Sequence, residues 1–103
     1  MDFGYSNEKG VILVVDDQPN NLKVIASVLS QDYTLSIANN GTNALKVLEK
    51  LTPDLILLDV MMPDLNGFEV CKIIKDNPAI SNIPIIFLTA KTDINDMVKG
   101  FEC

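Results

Sequence analysis

The chain has 103 residues, 48% of them hydrophobic, which suits one compact domain near the lower end of what closes a core unaided and leaves no room for a second. Its 14 acidic residues against 8 basic ones give a net charge of -6, which repels nucleic acid and anionic membrane and favours a cationic partner or a metal ion. Histidine is absent. That excludes a Ser-His-Asp triad, an imidazole base and a histidine metal site, so any chemistry must run on carboxylates, hydroxyls, lysine and backbone.

Residues 1–10, MDFGYSNEKG, form a polar tail without the apolar core of a signal peptide, ahead of a domain over 11–103. Val11 to Val15 is a continuous apolar run, the pattern of a strand buried on both faces, and it stops at Asp16-Asp17. Pro19 suits a first helical turn, and Leu22, Ile25, Val28 and Leu29 then recur at three- and four-residue steps, predicting a helix to about Ser30. YTLSIA, Tyr33 to Ala38, reads as a second strand broken by Asn40-Gly41. Ala44, Leu45, Leu48 and Leu51 give a second helical face ending before Thr52-Pro53.

LILL, Leu55 to Leu58, is a third buried strand that runs into Asp59 and then into a turn from Pro63 to Gly67. Phe68, Val70, Cys71 and Ile74 mark a third helix finishing before Pro78. IPIIFLTA, Ile83 to Ala90, is a fourth strand with Pro84 at its start. Asp93 as an N-cap followed by Ile94, Met97, Val98 and Phe101 predicts a fourth helix. Cys71 and Cys103 form no C-x-x-C pair and read as reduced thiols, and no apolar run approaches the roughly 18 residues of a membrane span. A cytoplasmic protein is therefore expected.

Strands and helices alternating over short connections predict βαβ units and a doubly wound α/β domain with a parallel sheet. In such sheets the ligand site lies outside the carboxyl ends of the strands, where strand order reverses. Asp16, Asp17 and Asp59 end two of the strands and Thr89 lies at the end of the fourth, so three carboxylates and a hydroxyl should converge on one edge. Carboxylates so close raise one another's pKa unless a divalent cation neutralises them, and oxygen ligands with room for water suit Mg²⁺. Mg²⁺ is in turn the usual clamp for a phosphoryl group.

VVDD, LLDVMMPDLNG and IIFLTA, in this order and spacing, resemble the response-regulator receiver domain of two-component signalling over nearly all of Val11 to Cys103. The resemblance implies a flavodoxin-like sheet with strand order 2-1-3-4. It implies that Asp59 accepts a phosphoryl group from the phosphohistidine of a sensor histidine kinase or phosphotransfer protein. Asp17 would bind Mg²⁺ directly, Asp16 mainly through water, and Met61 through its backbone carbonyl. Thr89 matches the switch hydroxyl, with the Met62 and Ala90 amides assisting at the phosphoryl group. Such a domain is a signalling switch and not a conventional enzyme, its only reactions being its own phosphoryl transfer and hydrolysis.

The sequence departs from the family in one respect. The lysine that the family places at the end of a fifth strand is not reached, nor are that strand and the helix after it, and Lys91 occupies a position that is variable in the family. An incomplete receiver is therefore expected, with self-association through the fourth strand's edge or an uncovered sheet face. The alternative is a receiver-like domain that acts by protein contacts without phosphorylation. A dehalogenase-type phosphatase would need an Asp where Met61 stands, and a nucleotide site would want glycines that DDQPNN lacks. Asp54, Asp64, Asp76 and Asp96 read as loop residues or helix caps, Gly67 and Pro63 as turn geometry, and Met61 and Met62 could equally fill the core.

Overall fold

The computed structural model describes residues 9–88. Strand β1 (Gly10–Val15) leads to helix α1 (Pro19–Leu29), β2 (Tyr33–Ala38), α2 (Gly41–Leu48), β3 (Leu55–Asp59), α3 (Gly67–Lys75) and β4 (Ile85–Leu88). The four strands form one parallel sheet in the order β2-β1-β3-β4, as predicted. Strand order reverses at β1, which pairs with β2 on one side and with β3 on the other. The predicted fourth helix, Thr89 and Ala90 lie outside the described residues.

Alternation along the strands sends side chains to two unequal layers. Leu13, Val15, Ile56 and Leu58 face α2 and α3 and join Ala44, Leu48, Val70, Cys71 and Ile74 in the larger core. Ile12, Val14 and Leu57 face the other way, against Leu22, Ile25 and Leu29 of α1. No residue of α1 is buried, and Val28, expected on its inner face, is 66% exposed. At about 100° per residue Val28 sits some 120° around the axis from Leu22, off the stripe that meets the sheet. Val24 on α1 and Ile86 on β4 are also exposed on this thinner side.

Helix α2 stops at Leu48 and not near Leu51, because Glu49 and Lys50 close three-residue bonds to the Lys46 and Val47 carbonyls that tighten the chain out of the α-helix. The Asn40-Gly41 pair, expected only to break β2, also starts this helix, since the Asn40 side chain accepts from the Asn43 N–H at 2.7 Å. Asn66 does the same for α3 in a reciprocal capping box with Glu69. Asp54 is more than a loop residue: its Oδ2 accepts from the Val11 N–H at 2.8 Å while its own N–H donates to the Val11 carbonyl at 2.7 Å, closing the sheet's lower edge. Cys71, inside α3, is disulfide-bonded and not the reduced thiol expected.

Candidate phosphoacceptor and metal site

The site is built where β1 and β3 leave the sheet. Leu13, Val15, Ile56 and Leu58 are fully buried against α2 and α3, so the strand ends are held by packing on that face of the sheet. Two further backbone bonds hold the exits: the Asp16 N–H donates to the Ala38 carbonyl at 3.2 Å, and the Val60 N–H to the Leu88 carbonyl at 3.2 Å. The loop after β3 folds back through the Gly67 N–H, which donates to the Val60 carbonyl at 3.0 Å. Gly67 is needed here for space and not for turn dihedrals, because a Cβ on it would lie 2.5 Å from the Asp59 carbonyl oxygen and 2.8 Å from Val60 Cα.

Asp16, Asp17 and Asp59 come together as predicted, with one carboxylate oxygen of each within 4.8 Å of the others. They line a cleft of about 600 Å³ with Gln18, Asn21, Val24, Ile25, Met61 and Leu88. The three carboxylates are not equivalent. Asp16 is 2% exposed and already engaged: Oδ1 accepts from the Gln18 N–H at 2.9 Å and Oδ2 from Asn21 Nδ2 at 3.2 Å. Asp59 Oδ1 accepts from the Met61 N–H at 3.2 Å. Asp17 Oδ1 is buried with no hydrogen-bond partner among the described residues.

Burial pushes the Asp59 carboxyl up to about 6, helped by the charges of Asp16 and Asp17 and opposed by the Met61 N–H. The consequence for stability has a definite sign. Between about pH 4 and pH 6 the folded protein holds a proton on Asp59 that the unfolded chain has released, so metal-free stability falls as pH rises through that window. Chemical denaturation at stepped pH checks this, and a flat profile across the window in Mg²⁺-free buffer would refute it.

Of the remaining predicted residues, Met61 is 54% exposed and so does not fill the core, whereas Met62 is buried and does. Asn21 was not singled out by the sequence. Its place in the first turn of α1, after Asp16 and Pro19, is the signal that could have found it, because a side chain there can reach back to the strand end.

A model of the response regulator receiver domain matches residues 12–103, and the chain belongs to that family. It is 44% identical over 91 residues to a probable cyclic di-GMP phosphodiesterase of Vibrio cholerae, a match that covers 88% of this chain and 21% of that protein. It is 42% identical over 92 residues to the DNA-binding response regulator MtrA of Mycolicibacterium smegmatis, covering 88% of this chain and 39% of the relative. The chain thus spans between a fifth and two fifths of the length of these curated relatives. Among solved structures, the Mn²⁺-bound form of response regulator Rcp1 is similar with a TM-score of 0.82 at 32% identity, over 90% of this chain and 74% of that one. The two curated relatives are named for different activities at near-equal identity, so receiver sequence does not dictate what the switch controls. No helix among the described residues is long and apolar enough to cross a membrane.

Proposed function

We propose that Asp59 is the phosphoacceptor of this receiver, taking a phosphoryl group from the phosphohistidine of a sensor histidine kinase or phosphotransfer protein, with Mg²⁺ held by Asp16, Asp17, Asp59 and the Met61 carbonyl. The observation that carries the reading is the orphaned Asp17 Oδ1 inside a cluster of three carboxylates. A buried carboxylate oxygen without a donor is costly, and a hard cation is the partner this all-oxygen set fits. Asp16, with both oxygens already bonded, is suited to reach the ion through water, and Asp17 to bind it directly. The Mn²⁺ bound to the Rcp1 structure supports a divalent ion on this fold. When bound, Mg²⁺ neutralises charge on the phosphoryl oxygens.

In the transfer, a carboxylate oxygen of Asp59 forms the new O–P bond as the N–P bond of the donor breaks. The electron pair stays on the donor imidazole, which takes a proton from solvent. The Met61 N–H fixes one Asp59 oxygen and leaves the other for phosphorus. Thr89 follows Leu88 directly, and Leu88 is the register partner of Asp59, which supports Thr89 as the hydroxyl that reads the product, with the Met62 and Ala90 amides assisting. Favouring one of two conformations through that contact is how such a switch transmits its state.

Intact mass after incubation with a small-molecule phosphodonor and Mg²⁺ tests the reading. One added phosphoryl group supports it, and none would favour the interaction-only alternative. The metal has a separate test. Mg²⁺ at about 100 times its Kd should stabilise the fold by about 2.7 kcal/mol and raise the melting temperature by roughly 4–8 °C for each kcal/mol. No rise, or an equal rise in Asp17→Asn, would remove the metal from this site.

A further inference from the structure

The loop between β3 and α3 carries Met61, yet it is held from outside by a helix to which the phosphoryl chemistry gives no role. Thr42 Oγ1, in the first turn of α2, donates to Asp64 Oδ2 at 2.6 Å, the short distance of a charge-assisted bond. Helix α2 has no acidic residue of its own in that turn, so Asp64 is the carboxylate at its positive end, supplied from another element. One residue away on each segment the two are packed closely enough to leave no room for a side chain on Gly41. A Cβ on Gly41 would lie 2.8 Å from Leu65 Cβ, 3.1 Å from the Leu65 carbonyl oxygen and 2.7 Å from Val70 Cγ2. The first turn of α2 therefore packs closely beside Leu65 while its Thr42 hydroxyl holds the residue before it.

We infer that Thr42 is a positioning residue for the site: through Asp64 and Leu65 it holds the 60–66 loop, and with it the Met61 backbone, in the arrangement that serves Asp59 and the metal. The inference rests on the proposed metal and phosphoacceptor reading for its purpose, but the tether itself can be judged without it. Among the described residues the loop is also held near its ends by hydrogen bonds, Val60 N–H to the Leu88 carbonyl, Met61 N–H to Asp59 Oδ1, Gly67 N–H to the Val60 carbonyl and the capping box between Asn66 and Glu69, and by Met62, which is buried in the core. The middle of the loop, at Asp64 and Leu65, is fixed by α2. The Thr42–Asp64 bond is exposed to solvent, so its effect should show in the order of the loop and in site affinity more than in global stability.

The test is amide hydrogen exchange in the metal-free 103-residue protein, followed by a Mg²⁺ titration. Thr42→Val keeps the shape and loses the hydroxyl, and Thr42→Ser restores it. In Thr42→Val the Met61, Asn66 and Gly67 amides should exchange about tenfold faster while Asp76 and Asn77, at the far end of α3, stay as in wild type. Thr42→Ser should return the wild-type rates. The Mg²⁺ Kd should rise about threefold or more in Thr42→Val, short of the loss seen for groups bonded directly to metal ligands. Asp64→Ala should behave like Thr42→Val, and the double variant should be no worse than either, as for two ends of one contact. Unchanged loop exchange, an equal rise at all amides, or a faster loop with unchanged Mg²⁺ affinity would each overturn the inference. Failure of the wild-type protein to bind Mg²⁺ would instead refute the metal reading, with the exchange rates still deciding the tether.

Discussion

Asp59→Asn will abolish phosphoryl uptake and, in the same protein, erase the loss of metal-free stability between about pH 4 and pH 6. Both follow from one substitution of nearly equal shape. The amide is a poor nucleophile toward phosphorus and cannot titrate. It also removes one of three crowded negative charges, so the metal-free variant should be more stable than wild type at neutral pH and should gain less from Mg²⁺. The two readouts are independent: label uptake reads the acceptor, and the pH profile reads the buried carboxyl. Label at the wild-type level in Asp59→Asn would move the acceptor elsewhere. A stability profile that still falls through the window would mean that another group titrates there.

Of the described glycines, Gly67 should be the one least tolerant of an added methyl group. The added carbon would meet the Asp59 carbonyl oxygen at 2.5 Å, Val60 Cα at 2.8 Å and the Asp59 carbonyl carbon at 3.1 Å, all of them backbone, so no side-chain rotation relieves the clash. Alanine is favoured over glycine in a helix by up to about 1 kcal/mol, but overpacking of this kind costs about 1–3 kcal/mol and commonly wins. The strain falls on Asp59 and Val60, so on the proposed site Mg²⁺ affinity should drop along with stability. Gly10→Ala is the control, its nearest neighbours being side-chain atoms at 3.6 Å. Urea denaturation should show a lower midpoint at unchanged slope for Gly67→Ala and little change for Gly10→Ala. Equal midpoints for the two would show that the α3 start yields to the methyl group.

Much of this was legible in the chain, for reasons that differ by element. The second strand, Tyr33–Ala38, was read to its bounds, because a run carrying the β-favouring Tyr33, Thr34 and Ile37 ends at Asn39-Asn40-Gly41, which cannot continue it. The first and third strands announced themselves as apolar runs stopped by carboxylates, and those stops are the carboxylates that the fold brings together. Helix α1 was placed correctly in sequence but Val28 was put on the wrong side of it, since spacing alone does not say how wide a stripe the sheet will cover. The same limit made Met61 and Met62 interchangeable until the fold put one in solvent and the other in the core. Asp54 and Asp64 looked like ordinary loop residues because the partners that define them, Val11 and Thr42, are remote in the chain.

The sequence by itself determined the alternation of strands and helices, the parallel order of the sheet through its family motifs, and the meeting of Asp16, Asp17 and Asp59 at one edge. These rest on local periodicity and on a topological rule about strand ends, both of which are properties of order along the chain. Only the tertiary structure decided which carboxylate oxygen is left without a donor among the described residues, how far burial raises the Asp59 carboxyl, why Gly67 has no room for a side chain, and which helix bonds to the loop after Asp59. Each of those is a distance between segments that the chain keeps apart. Desolvation, steric contact and hydrogen bonding act over a few ångströms of space, and no spacing along a sequence encodes them until packing brings the segments together.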